Sequence, residues 1–368
     1  MKPGLGGMVG NDKFAHWRKK LFNGIKDEGI NVNFYSKITG IGKCIPTKRV
    51  TNDDLAKFLN TSDEWIKQRT GIEQRYWVEK NESTSDLALV ASLEAINKAG
   101  LTKSDIEMII FATLSPDHFF PGTACFLQEK LGIPGIAALD VRQQCTGFLY
   151  GMSIADLYIR QGIYKNILLV GAEVHSKGLD KTDRGRDVTV LFGDGAGAVV
   201  LSRAEVKDPR KDAHLYSTHL HADGAYAKEL WVPAPGMGNG PELITQAELI
   251  EGAQYPKMNG RQVFTHAVRS MCDVIMEGLK QNNLSIEDVD FFAFHQANLR
   301  INEKVAQLLN IPSAKVFNTI QKYGNTTAAT IPIGLYDAVL EQRLTPGMLV
   351  ASAAFGSGFT WASSIFRY

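Results

Sequence analysis

The chain has almost no excess of charge of either sign, since 40 basic residues stand against 39 acidic ones. Without a basic surplus or blocks of like charge, binding to nucleic acid is not expected. No apolar run approaches the ~18 residues of a membrane span, and no apolar secretion-signal core follows the first residues. The four cysteines include no C-x-x-C pair, which argues against a disulfide framework or a zinc site. We therefore expect a cytoplasmic protein.

The sequence does contain enough apolar material, 44% of its 368 residues, for two domain-sized cores or one large α/β core. Strand-like and helix-like segments alternate from residue 34 onward. Leu89, Leu93 and Ile96 recur at helical spacing, and the apolar, strand-like segment 108–114 follows them. This alternation predicts an α/β protein built in layers.

Residues 1–33 are predicted to be a separate N-terminal extension. Phe14, Trp17, Leu21 and Ile25 recur at helical spacing opposite several basic residues, which predicts a short basic amphipathic helix. Such a helix could pack on the protein's own body, or it could contact a membrane surface or a partner. We assign it no function.

Cys145 opens an apolar, helix-like stretch directly after a short strand-like segment at 136–141. The N-terminus of a helix presents unpaired N–H groups and the positive end of the helix dipole, which favour a thiolate over a thiol. We therefore expect a lowered thiol pKa and take Cys145 as the candidate nucleophile. A buried structural cysteine is the alternative, because most free cysteines are of that kind.

An internal repeat points to two related halves. The segment Leu-Thr-Lys-Ser-Asp-Ile-Glu from Leu101 resembles Leu-Ser-Ile-Glu-Asp-Val-Asp from Leu284, 183 positions later, and two further matches keep nearly the same offset. We place the halves at 34–206 and 212–368, on either side of a polar break that contains proline. Chance similarity between two βα units is the alternative.

The repeat relates Cys145 to the neighbourhood of Asn325, which also lies near a predicted helix start. Two equivalent helix starts should face each other. His295 ends an apolar strand-like segment, and ligands of α/β sheets bind at the carboxyl ends of strands. A structural histidine is the alternative. The glycine-rich stretch around Gly356 could present N–H groups to an oxyanion.

Taken in order, four features resemble the β-ketoacyl-acyl-carrier-protein synthase III family over residues 34–368: Cys145, His295 in His-Gln-Ala-Asn-Leu-Arg, Asn325 in Gly-Asn-Thr, and the closing Phe-Gly-Ser-Gly-Phe-Thr-Trp. The resemblance implies the thiolase-like fold, a five-layer αβαβα sandwich built from two duplicated halves, and a homodimer. It implies transfer of an acyl group from acyl-CoA to Cys145. Condensation with malonyl-acyl carrier protein and loss of CO₂ would follow, which initiates fatty acid biosynthesis. Neither step needs a metal or a redox cofactor.

The resemblance also implies roles for single residues. His295 and Asn325 would donate hydrogen bonds to the malonyl thioester oxygen, and the backbone N–H groups of Cys145 and Ser357 would form the oxyanion hole. Trp65 and Arg184 would sandwich the adenine of CoA. The other implied site residues are Arg69 at the CoA phosphates, Gly260 and Phe264 in the pantetheine tunnel, Gln296, Arg300 and Lys304 for the acyl carrier protein, and Phe120 in the acyl pocket of the partner subunit.

Departures from the family pattern leave the substrate open. The segment 231–257 is longer than usual beside the acyl tunnel, and the lysines of some members fall here on Gln307 and Leu308. A specialised condensing enzyme that uses a longer acyl group or malonyl-CoA is therefore an alternative. A simple acyltransferase or thioesterase and an inactive scaffold are two more, but only condensation uses Cys145, His295 and Asn325 together.

Overall fold

The computed structural model describes residues 34–238 and 240–368. The helix predicted within the extension 1–33 lies outside the described residues. Phe34–Tyr368 pack as one compact unit. Within the described part of the chain, no helix is both long and apolar enough to cross a membrane.

The strands and helices alternate as the sequence predicts. The strands are β1 (Phe34–Cys44), β2 (Lys48–Thr51), β3 (Gln74–Trp77), β4 (Met108–Ala112), β5 (Ala137–Val141), β6 (Asn166–Glu173), β7 (Gly195–Glu205), β8 (His214–Ala222), β9 (Leu230–Trp231), β10 (Lys257–Met258), β11 (Phe291–Phe294), β12 (Leu349–Gly356) and β13 (Thr360–Arg367). The helices are α1 (Asn52–Ala56), α2 (Asp63–Thr70), α3 (Thr84–Lys98), α4 (Thr123–Leu131), α5 (Gly147–Arg160), α6 (Arg186–Thr189), α7 (Gln246–Glu251), α8 (Gly260–Gln281), α9 (Leu299–Leu308), α10 (Ile320–Tyr323) and α11 (Thr330–Leu340).

Two sheets share one topology. The first has the order β1-β7-β6-β4-β5, and the second has the order β8-β13-β12-β11 when it is read from the equivalent edge. In both sheets the first three strands pair antiparallel and the next pair is parallel. β6 and β12 begin at Asn166 and Leu349, again 183 positions apart. The predicted duplication is confirmed at the level of the fold.

The helices lie in three layers, which alternate with the two sheets. α3 and α4 cover the outer face of the first sheet, where Ala91 is buried. α5 and α11 lie between the sheets and contribute Phe148 and Leu335 to a shared core. α8 and α9 cover the outer face of the second sheet through Met271 and Val305. This arrangement is the predicted five-layer αβαβα sandwich.

Local sequence signals position these layers. Ser83 and Asp86 form a capping box at the start of α3, so the backbone N–H groups of its first turn are satisfied. A Cβ atom at Gly42 of β1 would lie 2.0 Å from the carbonyl oxygen of Ala91, so glycine is needed where β1 approaches α3. The predicted boundary at 206–212 falls in the connection between β7 and β8. It stays a prediction, because both halves belong to one compact unit.

Candidate active site

Cys145 lies in a 3₁₀ turn, Gln144–Thr146, that leads directly into α5. The second half repeats this geometry in the turn Thr327–Ala329 ahead of α11. Gln144 and Thr327, which are 183 positions apart, have the unusual positive φ angles of 44° and 49°. A Cβ atom at Gly147 would lie 3.7 Å from that of Ala328, so the two helix starts do face each other. Cys145 itself corresponds to Ala328, and Asn325 lies three residues earlier in the chain.

The end of β12 approaches the nucleophile closely. A Cβ atom at Gly356 would lie 2.7 Å from the Cβ of Cys145, so only glycine permits this approach. The backbone N–H groups of Cys145 and Ser357 act to lower the thiol pKa. Their role as oxyanion-hole donors stays a prediction. The Ser357 hydroxyl donates to the carbonyl oxygen of Leu230.

The expectation of a lowered pKa at Cys145 is wrong for the free protein. Burial raises the pKa of the Cys145 thiol to about 12, and the carboxyl group of Glu173 acts in the same direction. The two backbone N–H groups oppose this shift without overcoming it. The cause is desolvation. A thiolate that is taken out of water loses more hydration free energy than the nearby N–H dipoles supply. The thiol is therefore protonated at neutral pH in the free protein.

Burial also raises the pKa of Glu173 itself, to about 7, although Thr113, Leu114 and Ser115 donate hydrogen bonds that lower it. Glu173 ends β6 behind the nucleophile turn. Its carboxylate accepts from the backbone N–H of Leu114 at 3.2 Å and from the Ser115 hydroxyl at 2.5 Å. This carboxyl group therefore supports the loop after β4, and its charge state affects the thiol.

His295 follows β11 directly and is buried. Burial lowers the pKa of the His295 imidazole to about 3, so the ring is neutral near pH 7. Nδ1 lies 2.7 Å from the Thr330 hydroxyl, whereas Nε2 is buried with no hydrogen-bond partner in the described residues. An unpartnered ring nitrogen in a cavity wall is available to a ligand.

Asn325 is held by its backbone and by its side chain. Its N–H donates to the carbonyl oxygen of Leu191 at 2.9 Å, and its carbonyl oxygen accepts from the N–H of Gly193 at 3.1 Å. The side-chain oxygen accepts from the backbone N–H of Thr327 at 2.9 Å. Because this bond orients the amide, its NH₂ group is the end that can donate to a ligand.

Cys145, His295 and Asn325 line one cavity of about 400 Å³, which we name the entrance cavity. Its outer wall includes the predicted tunnel residues Gly260 and Phe264. Trp65, Arg69 and Arg300 also line it. The structure thus brings the three candidate catalytic residues to one space together with most of the residues predicted to bind CoA.

Two arginines lie over the ring of Trp65 in this structure. Arg186 Cζ lies 4.8 Å from the centroid of the indole ring and Arg69 Cζ lies 4.7 Å from it. Arg184, predicted to hold the adenine from the side opposite Trp65, donates to Asp180 at 2.6 Å and to the carbonyl oxygen of Ile250 in α7 at 2.9 Å. The sandwich formed by Trp65 and Arg184 stays a prediction.

The residues predicted to contact a carrier protein separate into two groups. Arg300 and Lys304 are exposed one turn apart on α9, in agreement with the prediction that they share a face. Gln296 is buried, donates to the carbonyl oxygen of Phe294 and accepts from the N–H of Thr319. It cannot contact a carrier protein, so that prediction is wrong.

Phe120 is 81% exposed and is not among the residues that line the entrance cavity. Its predicted insertion into the partner subunit stays a prediction.

Sequence reasoning missed two residues of this site, Arg186 and Thr330. Arg186 belongs to an Arg-Gly-Arg triplet, so the triplet itself was a signal that either arginine could face Trp65. Thr330 occupies the position equivalent to Gly147 at the start of the paired helix. The repeat identified that helix start, but nothing in the sequence indicates that Thr330 contacts His295.

Comparisons with known proteins agree with this geometry. Residues 139–224 match the family profile described as 3-oxoacyl-[acyl-carrier-protein (ACP)] synthase III, and residues 279–368 match the profile of its C-terminal part. The β-ketoacyl-[acyl-carrier-protein] synthase III of Xanthomonas campestris pv. campestris is 44% identical over 91% of this chain and 98% of that protein. The protein of the same name from Thioalkalivibrio sulfidiphilus is 44% identical over 91% of this chain and 99% of its own length.

Solved structures give the same result. The crystal structure of 3-oxoacyl-[acyl-carrier-protein] synthase III from Aquifex aeolicus superimposes with a TM-score of 0.81 at 41% identity, over 90% of this chain and all of that one (100%). The corresponding enzyme from Thermus thermophilus gives a TM-score of 0.81 at 36% identity, over 90% and 99% of the two chains.

Proposed function

The chain belongs to the β-ketoacyl-[acyl-carrier-protein] synthase III family, and we propose that it performs the reaction for which these acyl-transferring condensing enzymes are named. It takes an acyl group from acyl-CoA onto Cys145 and condenses that group with malonyl-acyl carrier protein, with loss of CO₂, to start fatty acid biosynthesis. The observation that carries the proposal is the meeting of Cys145, His295 and Asn325 in the wall of one cavity.

In the first half-reaction, the sulfur of Cys145 attacks the carbonyl carbon of the acyl-CoA thioester. The new C–S bond forms as the bond to CoA breaks, and the thiol proton leaves with CoA. The backbone N–H groups of Cys145 and Ser357 receive the negative charge that develops on the carbonyl oxygen, where one such donor contributes ~3 kcal/mol. The product is again a thioester, so the acyl group stays reactive.

In the second half-reaction, the malonyl thioester loses CO₂ and the electron pair of the broken C–C bond forms an enolate. His295 Nε2 and the amide of Asn325 donate hydrogen bonds to the enolate oxygen. The enolate carbon then attacks the acyl group on Cys145, a new C–C bond forms, and the sulfur leaves and regains a proton. Decarboxylation supplies the carbanion, so the proposed reaction needs neither a strong base nor a metal or redox cofactor.

Trp65, Arg69 and Arg186 are the proposed site for the nucleotide end of CoA. The indole of Trp65 offers a surface for stacking an adenine, and the guanidinium groups of Arg69 and Arg186 near it supply two positive charges for phosphates. Arg184 is proposed to hold the adenine from the side opposite Trp65, as the family resemblance implies. The pantetheine arm would run past Gly260 and Phe264 to Cys145, since both residues line the same cavity.

A homodimer in the cytoplasm is part of the proposal. β5 is the outermost strand of the first sheet in the described chain, and an outermost strand presents unpaired backbone groups to a partner. Leu139 of β5 is 36% exposed, and the nearby loop exposes Phe119 and Phe120 by 62% and 81%. A second copy that pairs along β5 would cover these apolar side chains.

Separating the two half-reactions tests the proposed function. His295→Ala and Asn325→Ala should still take up an acyl group from acyl-CoA, seen as added mass on the intact protein. Each variant should lose malonyl decarboxylation and condensation by about 100-fold, because each removes a donor of ~3 kcal/mol. CO₂ release at the wild-type rate in either variant would show that the roles given to His295 and Asn325 are wrong. If the protein were a thioesterase, it would release free acid and form no β-ketoacyl product.

A further inference from the structure

A charged network near Asn325 joins the two halves of the chain. The carboxylate of Asp337, on α11, accepts from the Lys43 ammonium on one oxygen and from the Tyr323 hydroxyl on the other, the second bond at 2.8 Å. Lys43 also donates to the Tyr323 hydroxyl oxygen at 3.0 Å, so the three side chains close a triangle. Asp337 is buried, and the Lys43 side chain is only 17% exposed. We name Lys43, Asp337 and Tyr323 the Lys43 network.

Tyr323 keeps its proton in this network. Burial and the hydrogen bond to Asp337 raise the pKa of the Tyr323 phenol well above its usual range. The hydroxyl therefore donates to the carboxylate, and its oxygen can accept from Lys43. Charge-assisted hydrogen bonds have narrow preferred distances and directions, so the network fixes the Tyr323 side chain more closely than apolar packing would.

Tyr323 lies two residues before Asn325, in a tightly packed turn. A Cβ atom at Gly193 would lie 2.3 Å from the Tyr323 carbonyl oxygen, and Gly324 has a positive φ of 65°. The N–H of Gly193 donates to the carbonyl oxygen of Asn325 at 3.1 Å. A displacement of Tyr323 would therefore move the backbone that carries the Asn325 amide.

The short helix α10 lies in the chain between the two proposed enolate donors. At its start, the N–H groups of Thr319 and Ile320 donate at 3.0 and 3.2 Å to the side-chain oxygen of Gln296, which follows His295 directly. At its end, the Lys43 network holds Tyr323. The separation of the two donors therefore depends on the attachment at each end of α10.

Lys43 links the second half of the chain to the half that carries the nucleophile. It lies in β1, and its backbone N–H donates to the carboxylate of Glu94 in α3 at 3.0 Å. In condensation, the enolate carbon held near Asn325 must meet the acyl group on Cys145. The bond from Lys43 to Asp337 crosses from one half to the other, so it fixes one relative to the other. A misplacement of ~1 Å can lower a rate by about 100-fold.

We propose that Lys43, Asp337 and Tyr323 are positioning residues for the second half-reaction, and that together they place the Asn325 amide relative to Cys145. The inference rests on the proposed function, because it takes Asn325 as a donor to the enolate. Acyl transfer from acyl-CoA to Cys145 makes no use of Asn325. Loss of the network should therefore slow decarboxylation and condensation and spare acylation.

Tyr323→Phe tests the inference, because it removes only the hydroxyl at the centre of the network. We expect kcat for CO₂ release from malonyl-acyl carrier protein to fall at least about tenfold, while acyl mass addition at Cys145 stays within about threefold. A purely structural role would lower both rates together. An unchanged ratio of the two rates would overturn the inference.

Lys322→Met is the matched control. Lys322 precedes Tyr323 on α10, and its ammonium forms an exposed ion pair with Glu341 at 2.7 Å. Exposed ion pairs contribute little, so both rates should stay within about twofold of the wild type. A loss of decarboxylation equal to that of Tyr323→Phe would contradict a specific role for the Lys43 network.

A double variant tests whether Lys43 acts through the same hydroxyl. Lys43→Met should reproduce the loss of Tyr323→Phe, and the combined variant should lose no more than the larger single loss. Losses that multiply would overturn the network as a unit. If Lys43→Met fails to fold because Asp337 is left buried without its cation, Tyr323→Phe beside Lys322→Met decides the question.

Asn325→Ala, measured beside these variants, separates the inference from the proposed function. If Asn325→Ala loses decarboxylation and Tyr323→Phe does not, only the inference fails. If Asn325→Ala releases CO₂ at the wild-type rate, the proposed role of Asn325 fails, and the inference fails with it.

Discussion

The Thr330 hydroxyl lies 2.7 Å from Nδ1 of His295 and 3.0 Å from the carbonyl oxygen of Thr327. A hydroxyl has one proton, so it donates to one of these two acceptors at a time. When it donates to Nδ1, the neutral ring carries its proton on Nε2, and that N–H can donate to the thioester oxygen. When it donates to the Thr327 carbonyl, the hydroxyl oxygen accepts from Nδ1–H, and Nε2 is left as an acceptor. The orientation of the Thr330 hydroxyl is therefore coupled to the tautomer of His295, and we predict that catalysis uses the first arrangement.

Replacing Thr330 tests this link. Thr330→Val keeps the shape and removes the hydroxyl, so malonyl decarboxylation should fall about 10- to 100-fold while acylation of Cys145 stays within about threefold. Thr330→Ser keeps the hydroxyl, so it should retain most of the wild-type rate of malonyl decarboxylation. The measurement is the rate of CO₂ release beside the rate of acyl mass addition. A Val variant that decarboxylates as fast as the Ser variant would show that the hydroxyl does not control the ring.

The raised pKa of Cys145 predicts a specific pH dependence in the free protein. Because burial favours the neutral thiol, the thiolate fraction rises about tenfold per pH unit up to a pKa of about 12. Alkylation of Cys145 by iodoacetamide, read by peptide mapping, should therefore increase without a plateau between pH 6 and 10. Free cysteine, with a pKa of ~8.5, should level off above pH ~9.5 as the control. A plateau at Cys145 near neutral pH would contradict the burial argument.

Arg186 and Arg184 give a matched pair for CoA recognition. Arg186→Ala removes one cation from the face of Trp65 and should raise KM for acyl-CoA about fivefold with little change in kcat. Arg184→Ala breaks the bonds to Asp180 and the Ile250 carbonyl, so we expect a lower melting temperature, and loss of its predicted contact with the adenine should add a rise in KM. Steady-state kinetics and thermal melting separate the two effects. An unchanged KM in Arg184→Ala would show that Arg184 does not contact CoA.

The carrier protein is expected to dock near Arg300, which lines the entrance cavity and stacks on Phe264 at 5.9 Å. Arg300→Glu should raise KM for malonyl-acyl carrier protein more than KM for malonyl-CoA, because a carrier is acidic over a large surface. The effect should shrink at higher salt. Lys280→Glu, at the far end of α8, makes the same charge change as a control. Equal effects of Arg300→Glu on both malonyl donors would exclude this docking site.

The parts of the fold that follow from local patterns could be predicted from the sequence. Apolar periodicity indicated the alternation of helices and strands, and the repeat at Leu101 and Leu284 indicated two equivalent halves. Cys145 and His295 could be found because each lies at the junction of an apolar segment and a turn. Such signals depend on neighbours along the chain.

The features that could not be predicted depend on packing between distant residues. The pKa of Cys145 reflects burial by both halves, which no local motif encodes. Gln296 looked available in its motif, but its side chain is used by the backbone of Thr319 and Ile320. The contact of Arg186 with Trp65 and the bond of Arg184 to Asp180 also depend on packing that the motif does not encode.

The central claim is that Cys145 alone carries the acyl group. Incubating the full chain with an acyl-CoA and mapping the modified peptide by mass spectrometry tests this claim most directly. We predict one acyl group per chain, on Cys145, with Cys44, Cys125 and Cys272 unmodified and no adduct on Cys145→Ala. Acyl mass on another cysteine, or labelling of Cys145→Ala equal to that of the wild type, would contradict the account.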